Sequence, residues 1–156
     1  MREIKEIVFD MDGTIADLYG VKGWLPRLRR EDPTPYSQAK PLWDMAILIE
    51  ILAELQEQGI KIRIVSWLSM ESSEEYKEQV REAKKKWLAE YEFPFDYCNI
   101  VAYGTKKQKC IKNKTPISNE YILIDDSQEV RDSWNIGRTV DPATENIIDF
   151  LQGLLE

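Results

Sequence analysis

The stretch Glu6-Ile-Val-Phe-Asp-Met-Asp-Gly-Thr14 decides the fold of this 156-residue chain. Its apolar residues Ile7 to Phe9 form a short run bounded by charged residues, which is typical of a buried strand. Two carboxylates, Asp10 and Asp12, follow where the chain leaves the core, and Gly13 permits a sharp turn. The same residues also suit an ordinary turn after a strand, since Asp and Gly are favoured there. A functional interpretation therefore depends on the rest of the chain.

Outward from this stretch, three more predicted strands lead into polar residues. The pairs of strand and following group are Ile60 to Val65 with Ser66, Tyr97 to Tyr103 with the lysines at 106–109, and Tyr121 to Ile124 with Asp125 and Asp126. A short strand is also predicted at Arg138 to Val140. Parallel strands carry ligands beyond their carboxyl ends, where the winding of the sheet reverses. We therefore expect these groups to converge at one rim.

Apolar residues at helical spacing separate the strands. They predict helices from Pro41 to Gly59, from a serine cap at 69, 72 or 73 to Pro94, from Gln128 to Trp134, and from an Asp141 cap with Pro142 to the end of the chain. Lys84 to Lys86 are predicted to lie on the solvated side of the second helix. The alternation predicts an α/β fold with a doubly wound, mainly parallel sheet and helices on both faces.

The four polar segments together resemble the haloacid dehalogenase-like (HAD) phosphohydrolase superfamily. Its motifs are Asp-x-Asp-Gly-Thr, a strand-terminal Ser or Thr, a Lys and an acidic pair, and the resemblance covers about Ile4 to Asp126. It implies a phosphatase in which Asp10 attacks phosphorus and forms an aspartyl phosphate. It also implies that Asp12 protonates the leaving oxygen and then activates water.

The resemblance further implies a Mg²⁺ cofactor. The implied metal ligands are Asp10, the Asp12 carbonyl and Asp125, with Asp126 in support. Adjacent acids after a buried strand are costly unless a cation or hydrogen-bond donors neutralise them, which agrees with a metal site.

Thr14, Ser66 and one lysine would hold the transferring phosphoryl group in a protein of this family. Among the clustered lysines, Lys107 is the first choice, because Thr105 would cap a short helix with Lys107 in its first turn. Lys106 is the second choice. A serine at a strand end is also a common accident, so Ser66 alone carries little weight.

Residues 15–40 contain glycines and prolines that break any periodicity, which predicts a flap followed by a loop. The family inserts cap domains here, but so short a segment implies a capless or minimally capped member. Trp24 would close over the substrate and Trp67 would flank the leaving group. The alternative is that Trp24 and Tyr36 only pin the loop to the core. The opening stretch and nearby tryptophans also resemble deoxyribonucleotidase-like members, which implies a nucleoside monophosphate as substrate.

Composition narrows the function further. A net charge of −7 disfavours stable nucleic-acid binding, and the absence of histidine excludes a Ser-His or Cys-His nucleophile. Cys98 and Cys110 lack metal-ligand spacing and are predicted to be reduced. No apolar stretch is long enough for a membrane span and no secretory signal is visible, so we predict a cytoplasmic protein. We expect a single domain over residues 1–156 that acts on a small phosphorylated substrate. The sequence gives no indication of oligomeric state.

A receiver-like phosphoacceptor module is the alternative from another functional class. Such modules also use aspartates, Mg²⁺ and a lysine on a doubly wound sheet, but they signal rather than turn over. Their acidic pair is expected after the first strand and their phosphoacceptor after a middle strand. This chain has the reverse order, and Asp12 supplies the acid and base needed for turnover.

Overall fold

A computed structural model describes residues 4–112 and 120–155 of the chain. In order, its elements are β1 (Glu6–Phe9), β2 (Ala16–Asp17), α1 (Trp24–Arg29), α2 (Thr34–Gln38), β3 (Lys40–Pro41), α3 (Met45–Glu57), β4 (Lys61–Trp67), α4 (Glu74–Glu90), β5 (Tyr97–Val101), β6 (Tyr121–Ile124), α5 (Gln128–Ser133), β7 (Thr139–Val140) and α6 (Ile147–Leu155). Two 3-10 helices, Leu18–Gly20 and Lys107–Cys110, complete them. Among the helices of these two ranges, none has the length and apolar character needed to cross a bilayer.

Five strands form one parallel sheet in the order β5-β4-β1-β6-β7. From β1 the chain builds outward through β4 and β5, then returns to the other side of β1 for β6 and β7. The winding of the sheet therefore reverses at β1, which puts the expected ligand position beyond Phe9. The predicted doubly wound α/β fold is confirmed.

Helices cover both faces of the sheet, and successive side chains of β1 point alternately into the core on each face. Ile7 and Phe9 belong to the larger core, which contains buried residues of α3, α4 and α6. Val8 points into a smaller core with Val130 of α5. A strand that is covered on both faces needs apolar residues at successive positions, which explains the unbroken Ile-Val-Phe run.

Residues 15–40 are more ordered than the predicted loop. They contain α1, α2, a 3-10 turn and a small antiparallel sheet formed by β2 and β3. The prediction of a loop was wrong at α1 and α2, because helices of six and five residues are too short for a hydrophobic period to be recognised.

The starts of two helices also differ from the prediction. Pro41 lies in β3, and the side chain of Asp44 caps α3. The side chain of Asn146 accepts hydrogen bonds at the start of α6, where Asp141 with Pro142 had been expected. In both cases an Asp or Asn directly before the helix provides the cap.

Candidate active site

Three carboxylates meet at the carboxyl end of β1. Asp10 follows β1 directly, and its backbone N–H donates to Ile124 O at 2.9 Å, which joins the ends of β1 and β6. Carboxylate oxygens of Asp10, Asp125 and Asp126 lie within 4.8 Å of one another. Two segments far apart in sequence thus form one acidic cluster, as the strand order requires.

Lys107 joins this cluster from the 3-10 helix after β5. Its Nζ lies 2.9 Å from Asp10 Oδ1 and 2.7 Å from Asp125 Oδ2, and its side chain is only 3% exposed. The structure places Lys106, the second choice, on the exposed surface. Thr105 does not cap the helix as expected, because its hydroxyl donates to Ala102 O. Of the two lysines proposed for the phosphate, only Lys107 reaches the acids.

Burial is the largest single influence on Asp10 and would raise its pKa, but the Lys107 charge and the hydrogen bonds from Asp126, Lys107 and the Met11 backbone together hold that pKa below its ordinary value. Burial and the nearby Asp10 raise the pKa of Asp125 to about 6. Burial, together with a hydrogen bond and charge from Asp10, raises the pKa of Asp126 to about 7. Mutual repulsion among oxygen ligands is relieved by a hard divalent cation, so these residues fit Mg²⁺.

Thr14 is fully buried beside the acidic cluster. Its Oγ1 lies 3.2 Å from Asp10 Oδ2 and accepts a hydrogen bond from the Asp126 N–H. These contacts hold the carboxylates in place, and a contact of Thr14 with the phosphoryl group stays a prediction. Gly13 is equally constrained: its φ is +82°, and a Cβ there would overlap Asp126 Oδ2.

Asp12 lies outside the acidic cluster and pairs with a lysine that sequence reasoning missed. Lys84 Nζ lies 3.0 Å from Asp12 Oδ2 and donates to Ser66 Oγ at 2.6 Å. The prediction that Lys84 is solvated was wrong, because its side chain is fully buried, whereas Lys85 and Lys86 are exposed.

The signal for Lys84 was present in the sequence. The buried stripe of α4 includes Tyr76 and Val80, and Lys84 continues it at the same spacing of four residues before Trp87. A lysine at a position reserved for core residues indicates a buried acidic partner.

Burial is the main influence on Asp12 and raises its pKa above the ordinary value, although the Lys84 ammonium works against this. The pKa values of Asp10 and Asp12 therefore move in opposite directions, although the two residues are separated only by Met11.

A cavity of about 680 Å³ opens over these side chains, within the range of small-molecule sites. Asp10, Asp12, Lys107 and Asp125 contribute to its lining. Ser66 is only 1% exposed and is not part of the lining, so a direct contact with substrate stays a prediction.

Two aromatic pairs line the same cavity. Tyr19 and Trp24 have ring centroids 4.9 Å apart, and those of Trp67 and Tyr103 are 5.0 Å apart. The indole N–H of Trp67 donates to a backbone carbonyl at 2.8 Å, which fixes its ring. The structure thus brings Trp24 and Trp67, both predicted from sequence, to one site. Tyr36, which is buried, also reaches the lining.

Comparisons with solved structures show folds similar to this one. The chain is similar to a chain in each of two structures of the Pnkp1/Rnl/Hen1 complex, one titled as an RNA repair complex, with TM-scores of 0.57 and 0.59 and identities of 19% and 18%. The matches cover 90% and 89% of this chain but only 46% and 42% of those chains, so it spans less than half of their length.

A third similar structure is D,D-heptose 1,7-bisphosphate phosphatase from Burkholderia thailandensis, with a TM-score of 0.57 and 12% identity. That match covers 97% of this chain and 99% of the other. No protein-family model matches the sequence, and no curated protein matches it significantly. The comparisons confirm the expected architecture: this chain has the HAD-like fold.

Proposed function

We propose that this chain is a Mg²⁺-dependent phosphomonoester hydrolase that works through an aspartyl phosphate on Asp10. The opposite environments of Asp10 and Asp12 carry this proposal. The Lys107 charge and the hydrogen bonds to Asp10 favour its ionised form, as a nucleophile requires, while burial favours the protonated form of Asp12, as a general acid requires. Paired carboxylates whose pKa values are driven apart are a general sign of such a division of roles.

In the first step, a carboxylate oxygen of Asp10 attacks phosphorus, the ester P–O bond breaks, and Asp12 gives its proton to the leaving oxygen. In the second step, Asp12 takes a proton from water as the water oxygen attacks the aspartyl phosphate. This releases inorganic phosphate and restores both carboxyl groups. Lys107 lines the cavity beside Asp10 and supports the negative charge of the transferring group.

Asp10, Asp125 and Asp126, with the Asp12 carbonyl, would hold the Mg²⁺. When bound, the ion neutralises charge between the nucleophile and the phosphate that it attacks.

The substrate that the cavity suits best is a small nucleotide-like monophosphate. Trp24 and Trp67 line the cavity, and stacking of a base on an aromatic ring contributes about 1–3 kcal/mol per base. A net charge of −7 disfavours long polyanions. The similarity to a bisphosphate phosphatase and to chains of an RNA repair complex makes a sugar phosphate and an RNA end the competing substrates to compare. A cytoplasmic location is part of the same proposal.

The test is a comparison of a nucleoside monophosphate, a sugar phosphate, a phosphopeptide and a 3′-phosphorylated RNA oligonucleotide, with Mg²⁺ and with EDTA. We expect Mg²⁺-dependent release of phosphate that is fastest from the nucleotide and absent in Asp10→Asn. Turnover in Asp10→Asn would exclude the covalent mechanism. A stable phosphoryl group on Asp10 without turnover would instead favour the receiver-like alternative.

A further inference from the structure

Lys84 is a buried ammonium whose donors are all used within the protein. It projects from α4, and its side chain has no exposed surface. Its Nζ lies 3.0 Å from Asp12 Oδ2, 2.6 Å from Ser66 Oγ and 2.8 Å from Trp67 O. An ammonium has three N–H donors, so these contacts leave none for a substrate. Any role of Lys84 in the reaction must therefore pass through its partners.

We infer that Lys84 is a positioning residue that fixes the carboxyl group of Asp12 for proton transfer, an inference that rests on the proposed function. Asp12 lines the cavity and its side chain is 17% exposed, so it reaches a substrate where Lys84 does not. Lys84 engages Oδ2 of Asp12. The oxygen that exchanges the proton is then Oδ1.

The contacts of Lys84 tie Asp12 to rigid parts of the fold. Ser66 and Trp67 are the last two residues of β4, and α4 is a 17-residue helix whose Trp87 donates to Ala39 O. Lys84 therefore links the acid to the strand that also carries an aromatic wall of the cavity. Positioning of a reacting group to within fractions of an ångström has a large effect on rate.

The position of Lys84 also separates Asp12 from the cation ligands. Asp12 follows Asp10 by two residues, and a free carboxylate there would be attracted to a metal held by the acidic cluster. An ion pair with an ammonium anchored on α4 competes with that attraction. In this way Lys84 preserves the side chain of Asp12 for acid and base chemistry.

The test uses Lys84→Met in the full chain, with Lys86→Met, an exposed lysine on the same helix, as the matched control. Rates are measured for esters with leaving groups from an acidic nitrophenol to an alkyl alcohol. A poor leaving group depends more on receiving a proton. We therefore expect Lys84→Met to lower the hydrolysis rate of the alkyl ester by about 10²-fold, the usual contribution of a general acid, and to lower the rate of the nitrophenyl ester far less. Lys86→Met should hydrolyse both the nitrophenyl ester and the alkyl ester at the rate of the parent protein.

A double-mutant cycle separates positioning from general stabilisation. In an Asp12→Asn background no proton can be given, so Lys84→Met should cause no further loss with the alkyl ester. A further loss there, or an equal loss with all leaving groups, would overturn the inference. Thermal denaturation of each variant checks folding, and Lys84→Gln, which keeps a donor without the charge, replaces Lys84→Met if the latter does not fold.

These outcomes are distinct from failure of the proposed function. If the unsubstituted chain releases no phosphate from any ester, the proposed function and this inference both fall. If it is active and Lys84→Met leaves the dependence on leaving group unchanged, only this inference falls.

Discussion

Replacing Lys107 by methionine should strongly destabilise the protein in the absence of Mg²⁺. The ammonium lies 2.9 Å from Asp10 and 2.7 Å from Asp125, and at an effective dielectric constant of about 20 each contact corresponds to about 6 kcal/mol of Coulomb attraction. Desolvation offsets most of this gain. Removal of one partner from a buried ion pair typically costs about 3–5 kcal/mol, because the remaining charge is left uncompensated.

We expect Lys107→Met to lie at the lower end of that range, at about 3 kcal/mol. The pKa of Asp125 is already raised to about 6, so this carboxyl can take up a proton when the ammonium is lost. Lys106→Met is the matched control. It replaces an exposed lysine next in sequence and should change stability by less than about 0.5 kcal/mol.

Urea denaturation followed by tryptophan fluorescence, at neutral pH in EDTA, measures both changes. Saturating Mg²⁺ should reduce the difference in free energy of unfolding between Lys107→Met and the parent, because the cation neutralises the same carboxylates. Phosphatase activity of this variant should fall by about 10²–10³-fold, the range seen when one preorganised charge-stabilising group is removed. The reasoning would be refuted if Lys107→Met and Lys106→Met lowered the free energy of unfolding equally, or if Mg²⁺ did not change the loss caused by Lys107→Met.

Three further predictions concern the acidic cluster and the cavity. Gly13→Ala should weaken Mg²⁺ binding measured by calorimetry, because the added Cβ would overlap Asp126 Oδ2. Gly104→Ala is the control, since Gly104 has a similar positive φ but open space around the added Cβ. It should lower the free energy of unfolding by only about 1 kcal/mol and leave Mg²⁺ binding unchanged. The raised pKa values of Asp125 and Asp126, about 6 and about 7, mean that the folded protein binds more protons than the unfolded chain between about pH 4 and pH 7. Stability contributed by these groups therefore falls as the pH rises through that window, and the difference in Tm between Mg²⁺ and EDTA samples should grow from pH 5 to pH 7.5. Trp67→Ala should reduce the preference for a nucleoside monophosphate over an aryl phosphate, measured as a ratio of kcat/KM; an unchanged ratio would exclude stacking on this ring.

The central strands and their terminal groups could be predicted from the sequence because each depends on local signals. The apolar run before Asp10 and the run before Asp125 are typical of strands buried on both faces, and parallel pairing forces their ends to one rim. Lys107 was also predicted, although for the wrong local reason, since Thr105 is not its cap. Lys107 lies near the acids because it follows β5, whose carboxyl end is at the same edge of the parallel sheet as that of β1. This holds independently of which residue caps the short helix.

Contacts that join distant parts of the chain could not be predicted in this way. Lys84 was assigned to solvent because charged residues in a run usually are. Its spacing in the α4 stripe could have indicated burial, but its partner Asp12 follows only from the contact of α4 with the end of β4. The order within residues 15–40 was missed for a related reason. The connection between its two helices is joined to the start of α4 by two hydrogen bonds from Ser73 to the Glu31 carboxylate, a contact over 42 residues that no local periodicity indicates.

The buried lysines Lys84 and Lys107 give the neighbouring aspartates Asp12 and Asp10 different environments at one strand end. Lys107 follows β5 and shares its charge between Asp10 and Asp125, which ties Asp10 to the acidic cluster. Lys84 comes from α4 and holds Asp12 together with Ser66, away from that cluster. Burial is the largest influence on the pKa of both aspartates, but only at Asp10 do the lysine charge and the hydrogen bonds together overcome it. The proposed division between nucleophile and acid would then follow from which element supplies each lysine. Substitution of the two lysines tests this explanation more directly than substitution of the aspartates, because it leaves both carboxyl groups in place.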